Sequence, residues 1–504
     1  MTELVLGLDL GTHGVRAVAV DREGVIRAHS VAFYERIMQP GGVQEQSLEV
    51  VLAGVLQALR EVVATTSADF NLAGMAVTHQ RGTLVVLDRT DCPIGHAICD
   101  SDTRSWPQAH WLADQVGAQE LYSLTGCPPL PFNGLTKILW WRQTFPEKVD
   151  TVSAWVSMQD WLVNLLTGER LSSPGAALRQ GVIDIRQPER YAFLLLDQLE
   201  IDPSQFWQLR PFREVLGFVS DKFSDACGLP AGLPVFPAPG DQPAAVLGSG
   251  ALASGAAAAN LGTSFLLSFP VAGFIPFAPG TLYTLEVLPD GRYALELGEG
   301  SGTNVLDWLR IDLLGLPSVE SLNALATSSP PGANGLRVLP YWWGALNDHL
   351  CGVVAGLTSN HTRADLVRAT LEALAFELRW VWDIMTAKTS LAPREVALFG
   401  GASHNPLLCQ ILATLFGRPV YRPTTPEASA LGAALSAAVG LGWYCDYTSA
   451  AAVVKREAVI EPAQALQDYY QEAYLAYLSD RQQIVNLTLH KHNYCEDDDA
   501  IVSS

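Results

Sequence analysis

The sequence predicts an α/β fold built as two related halves. Short apolar runs closed by Gly-containing turns alternate with segments of helical spacing, the pattern of strands mixed with helices. The string Leu-Gly-Thr closes an apolar run at Leu10-Gly11-Thr12 and again at Leu261-Gly262-Thr263, half a chain apart. At 504 residues the chain also exceeds one ordinary core, since domains run to about 100–200 residues.

Each element has its own warrant. Residues 4–10, 17–20 and 25–28 are Leu-, Val- and Ala-rich and read as antiparallel strands joined by Gly11-Thr12 and by Asp21-Arg22-Glu23-Gly24. Leu48, Val51, Leu52, Val55, Leu56 and Leu59 recur on helical spacing and predict a helix over 47–65. Strands follow at 72–77 and 83–87. Residues 234–237 predict a strand that stops at Gly240-Asp241-Gln242-Pro243, and the small-residue run 244–253 predicts a helix. Residues 256–261 and 265–269 predict a second hairpin. Leu366, Leu371, Leu374, Leu378 and Trp382 predict a helix over 364–386. A strand at 396–399 then runs into Gly400-Gly401-Ala402, with another helix starting near Asn405-Pro406. This organisation divides the chain into a first domain of residues 1–247, a second of 248–485 and a mobile tail of 486–504.

Composition narrows the function classes. Hydrophobic residues make up 49 % and charged residues 17 %, the profile of a well-packed globular protein. The net charge of −20, from 52 acids against 32 bases, argues against nucleic-acid binding, which needs a basic face. An anionic ligand must therefore be held by a local cradle of backbone N–H groups, helix N-termini, a metal and a few bases. The eight cysteines form no C-x-x-C pair and no zinc spacing, so they read as reduced thiols. The N-terminal run lacks a basic region and a cleavage site, and no stretch reaches 18 uninterrupted apolar residues. These features predict a cytoplasmic protein without a membrane partner.

Four strings carry chemistry. In Gly7-Leu8-Asp9-Leu10-Gly11-Thr12-His13-Gly14-Val15-Arg16 an acid ends an apolar strand, followed by a Gly-Thr turn and a base. Glycines let backbone N–H groups approach phosphate oxygens, Thr12 adds a hydroxyl, and Asp9 suits Mg2+, a hard cation that prefers carboxylate oxygen. The plainer reading is an Asp-Leu-Gly hairpin turn. Asp241, between a strand end and a Gly/Ala-rich helix, could take a proton from an alcohol as it attacks phosphorus, with Gln242 binding a neighbouring hydroxyl. Its plainer reading is a helix N-cap. Asn260-Leu261-Gly262-Thr263-Ser264 repeats the phosphate-type turn. Gly400-Gly401-Ala402 with Asn405 offers bare backbone to an adenosine, or is a simple strand–helix connection. Gly298 to Gly302 has only Glu320 about 20 residues on as the acid of a dinucleotide turn, which is weak support, though Gly302 or Thr303 could touch a nucleotide. His490, His492 and Cys495 read as an incidental cluster in a polar tail.

Together these strings resemble the FGGY family of carbohydrate kinases, in the family's order, from about residue 4 to about residue 480. Asp9-Leu10-Gly11-Thr12 and Leu261-Gly262-Thr263-Ser264 resemble its two phosphate motifs, and Gly240-Asp241-Gln242 its catalytic Asp motif. His79-Gln80-Arg81-Gly82 and Asp102-Thr103-Arg104 are similar to its sugar loops. Thr125-Gly126-Cys127-Pro128, Lys137-Ile138-Leu139-Trp140 and the segment from Glu427 to Ala434 match further landmarks. The resemblance implies two ribonuclease-H-like domains of the actin and hexokinase ATPase type around a cleft, sugar held mainly by the first and ATP mainly by the second. It implies Asp241 as catalytic base and Asp9 as the Mg2+ residue. Gln80, Arg81, Gly82, Asp100 and Gln242 would contact substrate. Gly11, Thr12, Arg16, Gly262, Thr263, Gly302, Gly401 and Asn405 would contact ATP. The partners implied are ATP and a small sugar or polyol, and a homodimer fits the same picture.

For the substrate, His79-Gln80-Arg81 and Gln242 resemble glycerol kinases, but those carry an acid where Gly82 stands, and both they and xylulokinases usually carry a Trp where Asp100 stands. Gly82 and Leu339-Pro340-Tyr341 agree with xylulokinases, although the Gly-Glu-Arg that normally follows is Gly344-Ala345-Leu346 here. D-xylulose is the expected substrate, with glycerol, ribulose and erythritol as alternatives. A catalytically silent nucleotide-binding sugar sensor and an actin-like ATPase are the rival readings.

Overall fold

The computed structural model describes residues 2–66, 70–252, 256–278, 283–298, 300–342, 351–457 and 459–498. The elements that build the site are, in chain order, β1 (Thr2–Leu10), β2 (Gly14–Val20), β3 (Ile26–Phe33), α1 (Leu48–Thr66), β4 (Phe70–His79), β5 (Gly217–Phe218), β6 (Pro234–Pro237) and α2 (Asp241–Gly248). They continue with β7 (Ala256–Leu261), β8 (Phe265–Val271), β9 (Thr284–Val287), β10 (Tyr293–Gly298), α3 (Arg363–Thr389), β11 (Glu395–Phe399), α4 (Pro406–Phe416), β12 (Val420–Tyr421) and α5 (Ala428–Gly440). The chain forms two compact units assembled from interleaved segments. Residues 1–254, 270–296 and 427–455 make the first, and residues 255–269, 297–426 and 456–504 the second.

The first unit is built on a six-stranded sheet of order β5-β6-β4-β1-β2-β3. β1 runs antiparallel to β2 and parallel to β4, so it is buried on both faces, as its near-continuous apolar sequence requires. Successive strand side chains alternate faces. Leu4, Leu6, Leu8 and Leu10 join the core under α1, with Val51, Val55, Leu59 and Val62. The opposite face is covered by α5, which packs on β1, β4 and α2. Small residues make that approach possible. A Cβ at Gly432 would lie 1.8 Å from the Ala244 oxygen, and one at Gly248 would lie 1.9 Å from the Ala428 oxygen.

The second unit repeats the central motif. β7 runs antiparallel to β8 and parallel to β11, which pairs parallel with β12. Its long helix α3 packs on Val319–Ser328 and on α4. Trp382 lies between Phe269 and Phe416, with ring centroids 5.2 and 4.6 Å away. Each Leu-Gly-Thr therefore closes an antiparallel hairpin whose first strand has a parallel neighbour on its other side, which is the internal repeat.

Observed boundaries differ from the sequence expectations in instructive places. The helix expected over 244–253 begins at Asp241, because Pro243 falls in its first turn, where a missing N–H costs no hydrogen bond, and it ends at Gly248, short of the expected end, with Ser249 as its C-cap. The third strand extends to Phe33 and the strand after α1 to His79. Thr83 and Leu84 precede the strand Val85–Asp88, and Leu84 forms only an isolated bridge to Ile98. In the expected tail the backbone is helical through Asp498. The Gly344-Ala345-Leu346 departure, Glu299 and the side chains of His490, His492 and Cys495 lie outside the described residues.

Candidate active site

In the first unit β1 delivers Asp9 to the end of the sheet, on the face covered by α5, opposite Arg16 in the β1–β2 register. The turn that follows is tied down by its carbonyls. The Tyr34 hydroxyl donates to the Gly11 oxygen at 2.6 Å and Gln46 Nε2 donates to the Thr12 oxygen at 2.8 Å. Among the described residues the Thr12 and His13 N–H groups have no partner, which is how a backbone cradle for phosphate oxygens stands ready. Arg16 is held by Glu427, just before α5, at 3.0 Å.

Asp9 is buried and its Oδ1 has no hydrogen-bond partner among the described residues. Burial pushes its carboxyl up to about 7, against the pull of Arg16. A buried, unpaired carboxylate oxygen at a phosphate-type turn fits a divalent cation. Among the described residues no three His, Cys, Asp or Glu side chains gather into a metal cluster. Magnesium needs none, since it keeps waters and phosphate oxygens beside one or two carboxylates.

β6 ends before Gly240, and Asp241 opens α2 as its first helical residue. The N-cap is Gly240, so Asp241 does not play the capping role that its sequence context also allowed. Its Oδ1 accepts from its neighbour's N–H at 2.8 Å and from Arg81 Nε at 2.9 Å. No partner is found for Oδ2 among the described residues. Burial raises the Asp241 pKa, Arg81 opposes it, and the nearby Asp100 carboxylate raises it further. Gly240 is required here by close approach: a Cβ would lie 2.3 Å from Arg81 Cγ.

Arg81 and Asp100 lie near this carboxylate. β4 ends at His79, whose two ring nitrogens are buried without partners among the described residues, and burial lowers its pKa to about 3, with Arg81 adding to the effect. The imidazole is therefore neutral. Gln80 Nε2 donates to Gln46 Oε1, linking the loop to the residue that holds Thr12. Gly82 adopts φ +72° against the Phe132 carbonyl, a left-handed conformation that favours glycine. Asp100 N–H donates to Thr83 Oγ1 at 3.0 Å, while Asp100 Oδ1 is buried without a partner among the described residues. Behind both loops lies Lys137, fully buried, whose Nζ donates to the Gly82 oxygen at 2.9 Å and the Asp100 oxygen at 3.4 Å. Burial lowers its pKa to about 7, against Asp100 and Asp102.

Two residues that the sequence analysis missed complete the group. Arg81 Nη1 lies 2.5 Å from Glu286 Oε1 and 2.7 Å from Glu296 Oε2, and both side chains are almost wholly buried. Burial works against the Arg81 charge, and the three carboxylates around it more than restore it. Burial raises the Glu286 pKa despite Arg81. The available signal was a charged residue breaking an apolar strand in Thr-Leu-Glu-Val and in Tyr-Ala-Leu-Glu.

In the second unit the Gly262-Thr263 turn, Gly302 and the Gly400-Gly401 turn meet. A Cβ at Gly302 would lie 2.7 Å from the Thr263 oxygen, and Thr303 N–H donates to the Gly262 oxygen at 2.9 Å. The Thr263 and Ser264 N–H groups have no partner among the described residues, as at Thr12 and His13. The Gly401 Cα faces open space. Asn405 caps α4 through Leu408 N–H at 3.0 Å and donates to Asn323 Oδ1 at 2.8 Å, so it shapes this turn from a buried position. Tyr341, from the Leu-Pro-Tyr string, donates to the buried Glu377 in a packing network.

Comparison with known proteins agrees along nearly the whole chain. The N-terminal domain model of the FGGY family of carbohydrate kinases matches residues 4–248, and its C-terminal domain model matches residues 257–441. A glycerol kinase of Thermococcus kodakarensis is 29 % identical over 480 residues, covering 92 % of this chain and 93 % of its own. A xylulose kinase of Staphylococcus epidermidis is 27 % identical over 496 residues, covering 96 % and 98 %. The crystal structure of a xylulose kinase from Rhodospirillum rubrum matches with a TM-score of 0.86 at 26 % identity, covering 96 % of this chain and 99 % of that one. The chain belongs to the FGGY family of carbohydrate kinases and has its two-domain, actin- and hexokinase-like ATPase fold.

Proposed function

We propose that this kinase transfers the γ-phosphoryl group of ATP to D-xylulose, giving D-xylulose 5-phosphate and ADP. The observation that carries the phosphotransfer reading is the Asp241 carboxylate, with Oδ1 anchored by Arg81 Nε and a backbone N–H and Oδ2 open. In this reading Oδ2 accepts the proton of the substrate hydroxyl as that oxygen bonds to phosphorus and the bond to the ADP oxygen breaks. The raised pKa of Asp241 makes it a better base than a solvated carboxylate. The unpaired N–H groups of Thr12, His13, Thr263 and Ser264 suit phosphate oxygens, with Gly11, Gly262 and Gly302 keeping those turns narrow. Arg16 adds a positive charge at the first turn. Asp9 would hold Mg2+, which when bound neutralises charge on the phosphates. Gly401 and Asn405 would border the adenosine.

The ketose reading draws on Gln80, Asp100 and Gln242, polar residues that the family resemblance sets against substrate, and on Gly82, which agrees with the xylulokinase pattern. Glycerol is the second reading, favoured by the Arg81–Asp241 pair followed by Gln242 and by the glycerol kinase likeness. A coupled ADP-release screen over D-xylulose, D-ribulose, L-ribulose, L-xylulose, glycerol, erythritol and gluconate tests this. The highest kcat/KM is expected with D-xylulose. A higher value with glycerol selects the second reading. No ADP above background with any of them, while ATP still binds, selects the sensor instead. Light scattering on the same preparation reads whether the enzyme works as a homodimer.

A further inference from the structure

The pairing of β9 with β10 sets Thr284 opposite Glu296 and Glu286 opposite Ala294. Directly paired residues share a face, and so do residues two apart, so Glu286 and Glu296 are diagonal neighbours on one buried hairpin face. Two like charges placed there without water repel unless a cation lies between them. That cation is Arg81: its Nη1 donates a hydrogen bond to Glu296 Oε2 and lies in ion-pair contact with Glu286 Oε1. A guanidinium can also grip a carboxylate with two parallel N–H bonds. At Asp241 it does not: only Nε bonds, and only to Oδ1.

We propose that Glu286 and Glu296 are positioning residues for the base: by holding Arg81 through Nη1 they leave a single Arg81 bond on Asp241 Oδ1 and keep Oδ2 clear for the substrate hydroxyl. This rests on the phosphotransfer reading above. Without them Arg81 turns both edge nitrogens onto Asp241, covers the open oxygen and makes the carboxylate a weaker base. The negative charge of Glu296 acts in the same direction, since it favours proton uptake by Asp241. The groups facing Glu286 are Arg81, Arg179 at 3.6 Å, Glu296, Asp241 and the Cys127 thiol.

The test compares wild type with Glu296→Gln and Glu286→Gln, each nearly isosteric. With whichever polyol the screen selects, kcat is expected to fall by about 10-fold to 100-fold, part of the roughly 10²–10⁴-fold that a positioned general base contributes. The acid limb of the kcat/KM profile is expected to move to lower pH, and the KM for ATP to stay unchanged. A second readout needs no turnover: carbodiimide-driven coupling of glycine ethyl ester to Asp241, followed across pH by peptide mass mapping. Its midpoint is expected to drop by about half a unit or more in both variants, the size of one lost neighbouring charge. A midpoint unmoved in the folded variants, a kcat within twofold of wild type, or loss of the fold in both variants overturns the proposal and makes the cluster a structural ion group. If wild type phosphorylates no polyol, the kinase reading of the site fails, while the Asp241 labelling still decides this inference.

Discussion

At the residue scale two buried carboxylates have opposite requirements. Asp241 has Arg81 on one oxygen, and in the proposed function the other accepts a proton. Its replacement by Ala is expected to lower kcat by about 10³-fold while the KM for ATP stays within a few-fold, because the base is lost and the phosphate turns are not. Steady-state kinetics with both substrates varied checks this. Asp9 has an oxygen with no partner, and its folded pKa is raised from 3.8 to about 7. Between those values the unfolded chain gives up the proton that the native state retains, so this group removes stability as pH rises through that window. Asp9→Asn is therefore expected to be more stable than wild type above pH 7, by about 1–2 kcal/mol after allowing for relaxation, and no more stable at pH 4. Urea unfolding without divalent metal at both pH values measures it. The same variant is expected to lose phosphotransfer, so this acid destabilises the fold where it serves the site.

At the element scale two contacts decide whether the site exists. α5 can lie on β1 only because Gly7, and on α2 only because Gly432 and Gly248, present no side chain to carbonyl oxygens less than 2 Å from where a Cβ would stand. Gly432→Val is expected to destabilise by about 3 kcal/mol or more, since two backbones must separate. Thermal unfolding and soluble yield report it. The sugar loops depend in the same way on Lys137, which ties the Gly82 and Asp100 carbonyls together from inside the core. Lys137→Met keeps much of the volume but removes the donors. It is expected to raise the polyol KM by about 10-fold with little change in the KM for ATP, the signature of lost substrate positioning. A matching rise in both constants would show instead that the whole unit had loosened.

At the scale of the whole molecule the interleaving of segments matters most. The first unit takes residues 270–296 and 427–455 from the far half of the chain. A fragment of residues 1–254 would leave Arg81 without Glu286 and Glu296, and β1 without its α5 cover. Such a fragment is expected to bind a hydrophobic dye and to melt without a cooperative transition, because a buried cation and an apolar sheet face would both be uncovered. Calorimetry of the fragment beside the full chain makes the comparison, and a sharp fragment transition would contradict it.

Read from the sequence alone, the strand ends were visible, and with them Asp9, Asp241 and both Gly-Thr turns. The information for each is local: an apolar run fixes the strand, and the Gly and Asp that stop it place a polar group at its end. Both hairpins and the long helix α3 were legible for the same reason. The start of α2 was read three residues late because Pro243 resembles a breaker until its place in the first turn is known. Glu286, Glu296 and the close approach of Gly432 to Ala244 were beyond local reading, since Arg81 meets Glu296 across 215 positions. Periodicity reports which face of an element is buried, and only the folded chain determines which partner buries it.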